Sequence, residues 1–121
     1  MSDSVKINDV IQLYFDSMFE SNSQKVHQAF HPNAKITGYT ADGLQEMDVS
    51  VFADFVASQL PSAKEKGDIP VLEIVSLDVA GNTAVAKVRD EFIGLTFLDI
   101  LSFIRIGDEW QIYNKLFHVE S

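Results

Sequence analysis

The chain has 121 residues, the length of a single domain. With 46% hydrophobic and 22% charged residues it is not a disordered chain, and surface scaling lets a domain of this mass bury about two-thirds of its surface without metal or disulfide staples. Nine Lys and Arg against eighteen Asp and Glu leave a net charge of −9, which argues against nucleic acid or anionic membrane as a partner, and the lack of cysteine excludes thiol chemistry and Cys-based metal sites.

Ile7, Val10, Ile11, Tyr14, Phe15, Met18 and Phe19 recur at i, i+3, i+4, i+7 and predict a first helix with Ser4 as its N-cap. Ser21-Asn22-Ser23 breaks it and recaps a short second helix with Val26, Ala29 and Phe30 on its apolar side, ended by His31-Pro32-Asn33. Alternation over 34–39 predicts a short strand, Asp42-Gly43 a turn and 44–47 a brief second strand. Asp48 or Ser50 caps a third helix with Phe52, Phe55, Val56 and Leu60 as its stripe, Pro61 stops it, and SAKEKGD reads as a charged loop.

From Ile69 onwards the apolar period is two, and strands are expected over 71–79, 83–92, 96–106 and 110–119. Their connections are of hairpin length, so the pairing is antiparallel and the class is α+β, with helices first and a curved sheet wrapped around them. The strand at 96–106 is apolar on both faces, with Leu98, Ile100, Ile104 and Ile106 on one and Phe97, Leu101 and Phe103 on the other. A single helical layer covers one side of such a sheet, so a second copy of the chain is expected on the other.

The opening MSDSVKINDV has neither a basic segment nor a long apolar run, and the apolar stretch at 92–104 is too short and too polar to cross a bilayer. A cytoplasmic location is the expectation.

Three stretches, the opening helix with IQLYFDSMF, AFHPNAKITGY at 29–39 and GLTFLDILSFIRIGDEWQIYNKLFHVE at 94–120, resemble the putative lumazine-binding family of the nuclear transport factor 2-like (SnoaL-like) superfamily. The resemblance implies a cone-shaped α+β fold, three N-terminal helices packed in a strongly curved antiparallel sheet around a pocket, usually dimeric through the outer sheet face. Isomerases of that superfamily that move a proton beside a ketone carry an aspartate base on the strand after the second helix. Matching AKITGY to that strand puts Gly38 at the base position, so Asp90 or His118 would have to substitute.

His27, His31 and His118 are the only histidines and lack metal-ligand spacing, the glycines are isolated, and no G-x-S-x-G elbow occurs, so no metal or other cofactor is expected. General acid–base chemistry in an apolar pocket remains. Asp90 follows Ala84, Ala86 and Val88 on the apolar face of its strand; it either has a raised pKa there or reaches solvent, Arg89 or a helix end. If Ile104 lies opposite Ile112, Asp99 and Lys115 stand one diagonal step apart and form an ion pair at the dimer face. If the Gly94 turn has a two-residue loop, Asp90 and Asp99 face each other as paired carboxylates. Asn114 and His118 share the Trp110 and Ile112 face, which is expected to point into the cone, and Tyr14 on the first helix can donate from its phenol. Tyr14, Tyr39, Trp110, Asn114 and His118 are therefore the candidate ligand contacts, and Asp90 and His118 the candidate catalytic groups.

The function expected is binding of a small, partly apolar organic molecule in the cone of a homodimer. Two alternatives stay open: an acid–base enzyme (isomerase, dehydratase or cyclase), and a protein-interaction module whose pocket is filled.

Overall fold

The computed structural model describes residues 2–121. Helix α1, Asp3–Phe19, is capped by Ser2 rather than Ser4: the Ser2 hydroxyl accepts the Val5 amide at 3.3 Å, and Ser4 falls within the first turn. Its stripe of Ile7, Ile11, Tyr14, Phe15 and Met18 is buried. Helix α2, Ser23–Ala29, is capped by Asn22, and the chain leaves the helical region at Phe30.

Strand β1, Phe30–Thr40, begins four residues earlier than the alternation suggested and runs through Pro32. A proline lacks the amide that a ladder needs, and the pairing of β1 is irregular between Phe30 and Lys35. Strand β2, Gly43–Asp48, completes a hairpin, and Asp48 caps α3, Val49–Ala57, by accepting the Val51 amide at 2.9 Å. Leu60 lies beyond this helix and is exposed, so it is not part of the stripe. The expected charged loop contains one helical turn, α4 (Ala63–Lys66), closed by a reciprocal capping box between Ser62 and Glu65.

Strands β3 (Leu72–Ala80), β4 (Thr83–Phe92), β5 (Leu95–Ile106) and β6 (Glu109–Val119) form the antiparallel meander. The early hairpin is not separate from it. β1 pairs in parallel with β6, which gives one six-stranded sheet in the order β2-β1-β6-β5-β4-β3. The sheet is curved and unclosed, and α1, α2 and α3 fill its concave side, as a nuclear transport factor 2-like cone requires. Among the described residues no helix is long and apolar enough to cross a membrane.

Two irregularities set which side chains face the helices. One extra residue, Val75, interrupts β3 between Ile74, opposite Val88, and Ser76, opposite Lys87. Another, Tyr113, sits in β6 between Ile112, opposite Phe103, and Asn114, opposite Ser102. Each bulge reverses the side-chain alternation for the remainder of its strand. On β6, Trp110 and Ile112 face inward before Tyr113, and Lys115 and Phe117 after it.

Candidate ligand site

Three ionisable side chains cross the concave face on a diagonal. Asp90 on β4 is opposite Phe97, Asp99 on β5 is opposite Val88 and Phe117, and Lys115 on β6 is opposite Leu101. Each is therefore displaced one step along the pleat from the next, within side-chain reach. All three are buried, with residual exposures of 1%, 0% and 5%. Groups of this kind are almost never so buried unless paired, which singles out the diagonal as a place where stability has been given up.

Tyr14 approaches from α1, and its hydroxyl donates to Asp99 Oδ2 at 2.6 Å. Asp99 Oδ1 and both oxygens of Asp90 have no hydrogen-bond partner among the described residues when the two carboxyls are counted as acceptors. A proton on Asp90 removes that conflict, since it supplies a donor. Burial, then a hydrogen bond with Asp99 and the charge of Asp99, push the Asp90 carboxyl up to about 9, against the opposing pull of Lys115. Tyr14 is likewise raised well above its ordinary value, chiefly by burial and then by the two aspartates, so it stays a donor.

Lys115 holds no carboxylate within 4.0 Å among the described residues. Its Nζ is instead surrounded by aromatic faces, 4.6 Å from the ring centre of Phe52, 4.9 Å from Tyr14 and 5.8 Å from Phe117.

The diagonal ends at a cavity. Lys115, Phe117, Phe52, Phe55, Phe97 and Ile36 line a recess of about 580 Å³, which opens between the β1–β2 hairpin, α3 and the β4–β5 turn. Its walls are mainly apolar, with Lys115 the buried charge; Asp42 and Tyr39 stand at the exposed rim. A second recess of about 610 Å³ lies beyond Phe92 and Ile93, but its charges, Lys66, Asp68 and Glu91, are all exposed.

Several expectations from the sequence are corrected here. Asn114 and His118 do not share the face of Trp110 and Ile112. The Tyr113 bulge turns both away from the cone, leaving His118 exposed on the convex side. Trp110 is buried and donates to Asp3 Oδ1 at 3.1 Å, beside a separate surface groove with Lys6, Asp9 and His27, away from the cavity. Asp99 and Lys115 are not an ion pair at the outer face: both are buried on the inner one, and no ion pair joins them among the described residues. Asp90 does not reach solvent, and Arg89 points to the opposite face, where it pairs with Glu73 at 2.8 Å and Glu120 at 2.7 Å. The Gly94 turn does have a two-residue loop, Phe92 pairing with Leu95, yet that register sets Asp90 against Phe97, with Asp99 on the diagonal. Gly38 takes no side chain for a physical reason: a Cβ there would lie 2.4 Å from the Phe117 carbonyl oxygen and 2.6 Å from its ring.

A family model described as putative lumazine-binding matches residues 2–118. The chain belongs to the putative lumazine-binding family. Solved structures place this family member among nuclear transport factor 2-like folds. An NTF2-like protein of unknown function from Silicibacter pomeroyi DSS-3 superposes with a TM-score of 0.87 at 18% identity over 99% of this chain and 100% of its own. Another, from Methylobacillus flagellatus KT, gives 0.84 at 27% identity over 98% and 93%. Among curated proteins, the aldolase FrzH of Cladobotryum sp is 26% identical over 105 residues, 87% of this chain and 82% of that protein.

Proposed function

We propose that the cone cavity binds a small, largely apolar organic molecule that carries one carbonyl or acidic oxygen, held with that oxygen towards Lys115. The observation that carries this reading is a lysine only 5% exposed, with no acceptor among the described residues, lining an apolar recess of about 580 Å³. The volume is that of a small-molecule site, and an apolar wall with one polar anchor is how such sites combine affinity with orientation. A ligand oxygen would give Nζ the acceptor that the protein withholds. Titration of ¹⁵N,¹³C-labelled protein with acetophenone and with benzoate tests it. Shifts concentrated at Ile36, Phe52, Phe97, Lys115 and Phe117 are expected, and shifts confined to the outer surface would overturn it.

A second reading, acid–base catalysis at the carbon beside the bound carbonyl, is favoured by the Tyr14, Asp99 and Asp90 cluster. A carboxyl kept protonated near neutral pH beside a phenolic donor can stabilise a developing oxyanion, and the carboxylate of the pair can take a proton. Such chemistry is of the class named by the aldolase relative. In this reading Asp90 is the catalytic group.

The proposal includes a second copy of the chain on the convex face. Ile100 and Leu116 are directly opposite each other there, 42% and 47% exposed, with Val85 on the neighbouring β4 and Tyr113 further along β6. An apolar patch spread over three strands is what a self-associating sheet face presents.

A further inference from the structure

Lys115 Nζ lies between the rings of Phe52 and Phe117, both of which line the cavity, and it has neither a hydrogen bond nor an ion pair among the described residues. A lysine held only as a structural cation would sit against one of the two carboxylates available on the same face. Here the bulge at Tyr113 aims the amine at the cavity, and Asp99 is committed to Tyr14 instead. The protein has seven lysines, and the six others, Lys6, Lys25, Lys35, Lys64, Lys66 and Lys87, are all exposed or only partly buried. Lysine amines enclosed by apolar walls are the ones suited to covalent capture of carbonyls, because water is excluded and little solvation has to be stripped from the nucleophile.

We propose that Lys115 is a covalent carbonyl-capturing residue, forming an imine with an aldehyde or ketone seated in the cavity. This rests on the ligand reading above and names the ligand class as one with an electrophilic carbonyl. In the capture step the Lys115 ammonium gives one proton, through one intervening water, to the carboxylate of the Asp90–Asp99 pair, and the neutral amine attacks the carbonyl carbon to form a C–N bond. The carbonyl oxygen takes two protons in turn, both originating on nitrogen and relayed by the carboxyl pair and the Tyr14 hydroxyl. It departs as water when the C–O bond breaks. The nitrogen retains its third proton in a C=N⁺–H group, so charge and atoms balance without an oxidant or a metal. In this scheme Tyr14, whose ring centre lies 4.9 Å from Lys115 Nζ, is the carrier nearest the leaving oxygen, and Asp90, two strands from Lys115, acts through Asp99.

The probe is 2,4-pentanedione, which fits the recess and converts an initial imine into a stable conjugated enaminone. Incubated with the intact protein near pH 7.5, it is expected to add one diketone less one water, with a new near-ultraviolet band, and peptide mapping is expected to place the adduct on Lys115. Lys115→Arg is expected to lose the adduct, and Asp90→Asn to form it at least tenfold more slowly with unchanged noncovalent affinity. Adducts spread over the exposed lysines at equal rates would overturn the proposal. So would diketone that binds the cavity by chemical shift yet forms no adduct, a result that leaves the ligand reading standing. No diketone shifts in the cavity at all would overturn both. If Lys115→Arg fails to fold, the peptide map of the unsubstituted protein still decides.

Discussion

Gly38 and Phe117 face each other across the parallel β1–β6 pair so closely that no β-carbon fits between them: its nearest neighbour would be a backbone oxygen 2.4 Å away. The position to which the resemblance assigns an isomerase's aspartate is thus closed by the last strand. A backbone carbonyl cannot swing aside as a side-chain tip can. Gly38→Ala is expected to cost about 3 kcal/mol, the top of the usual overpacking range. Adding Phe117→Ala is expected to regain only part of this, since the ring is removed and the carbonyl is not. Urea denaturation of the single and double variants measures both, and a Gly38→Ala protein of wild-type stability would contradict the packing.

Asp90 makes stability depend on pH in a direction opposite to that of most carboxylates. Its folded-state pKa, about 9, lies above the unfolded value near 4. Between those limits the native state binds the extra proton, so stability falls as pH rises, by up to about 1.4 kcal/mol per unit from this group, and levels off above the folded value. Asp90→Asn keeps the shape and abolishes the titration. The stability difference between variant and wild type is expected to swing in favour of the variant from pH 5 to pH 8, read from urea midpoints at each pH. Parallel curves would show that Asp90 is ionised in the fold.

The Tyr14 hydroxyl donates to Asp99 Oδ2 at 2.6 Å. Tyr14→Phe removes one oxygen without altering the ring contacts with Phe30, and is expected to destabilise by about 1.5–3 kcal/mol, the range for a hydrogen bond to a charged group. A loss below about 0.5 kcal/mol would mean that water replaces the hydroxyl, and that the cluster is wetter than its burial implies.

The convex face makes a separate prediction about assembly. Sedimentation velocity is expected to give twice the chain mass for the wild type and the single-chain mass for Ile100→Glu with Leu116→Glu. The variant is expected to stay folded, because both side chains already meet solvent in one copy of the chain. A monomeric wild type at tens of micromolar would exclude this face as a dimer interface.

Much of the architecture was legible because it rests on period. The stripe from Ile7 to Met18, the switch to alternation after Ile69 and the hairpin-length connections led directly to α1 and the meander. The parallel seam between β1 and β6 was not legible, since it joins segments about 80 residues apart with no turn between them to report it. The site failed for a more local reason. Strict alternation from Trp110 selects Asn114 and His118, and one unpaired residue at Tyr113 replaces them with Lys115 and Phe117. A hint was present: reading backwards from Val119, the series Val119, Phe117, Lys115 matches the parity of Phe97, Asp99 and Leu101 across the ladder. Asp90 was singled out correctly as unusual, yet its burial could not be separated from a wet strand end until Leu72 and Phe97 were seen on either side of it.

The extra residue in β6 works like a reading frame for the pleat. Everything downstream of Tyr113 is displayed in one of two phases, and pairing Tyr113 into the ladder, with the register moved by one residue, would exchange them together: the amine and its aromatic neighbour would go to the outside, and an amide and an imidazole would enter the cone. Whether this one residue is bulged out or paired therefore decides the chemistry of the cavity floor wholesale, with the helices left in place. Two chains of this fold could share nearly every residue of their last strand and still offer a guest entirely different functional groups. Aligning them without a gap at Tyr113 would equate the wrong positions.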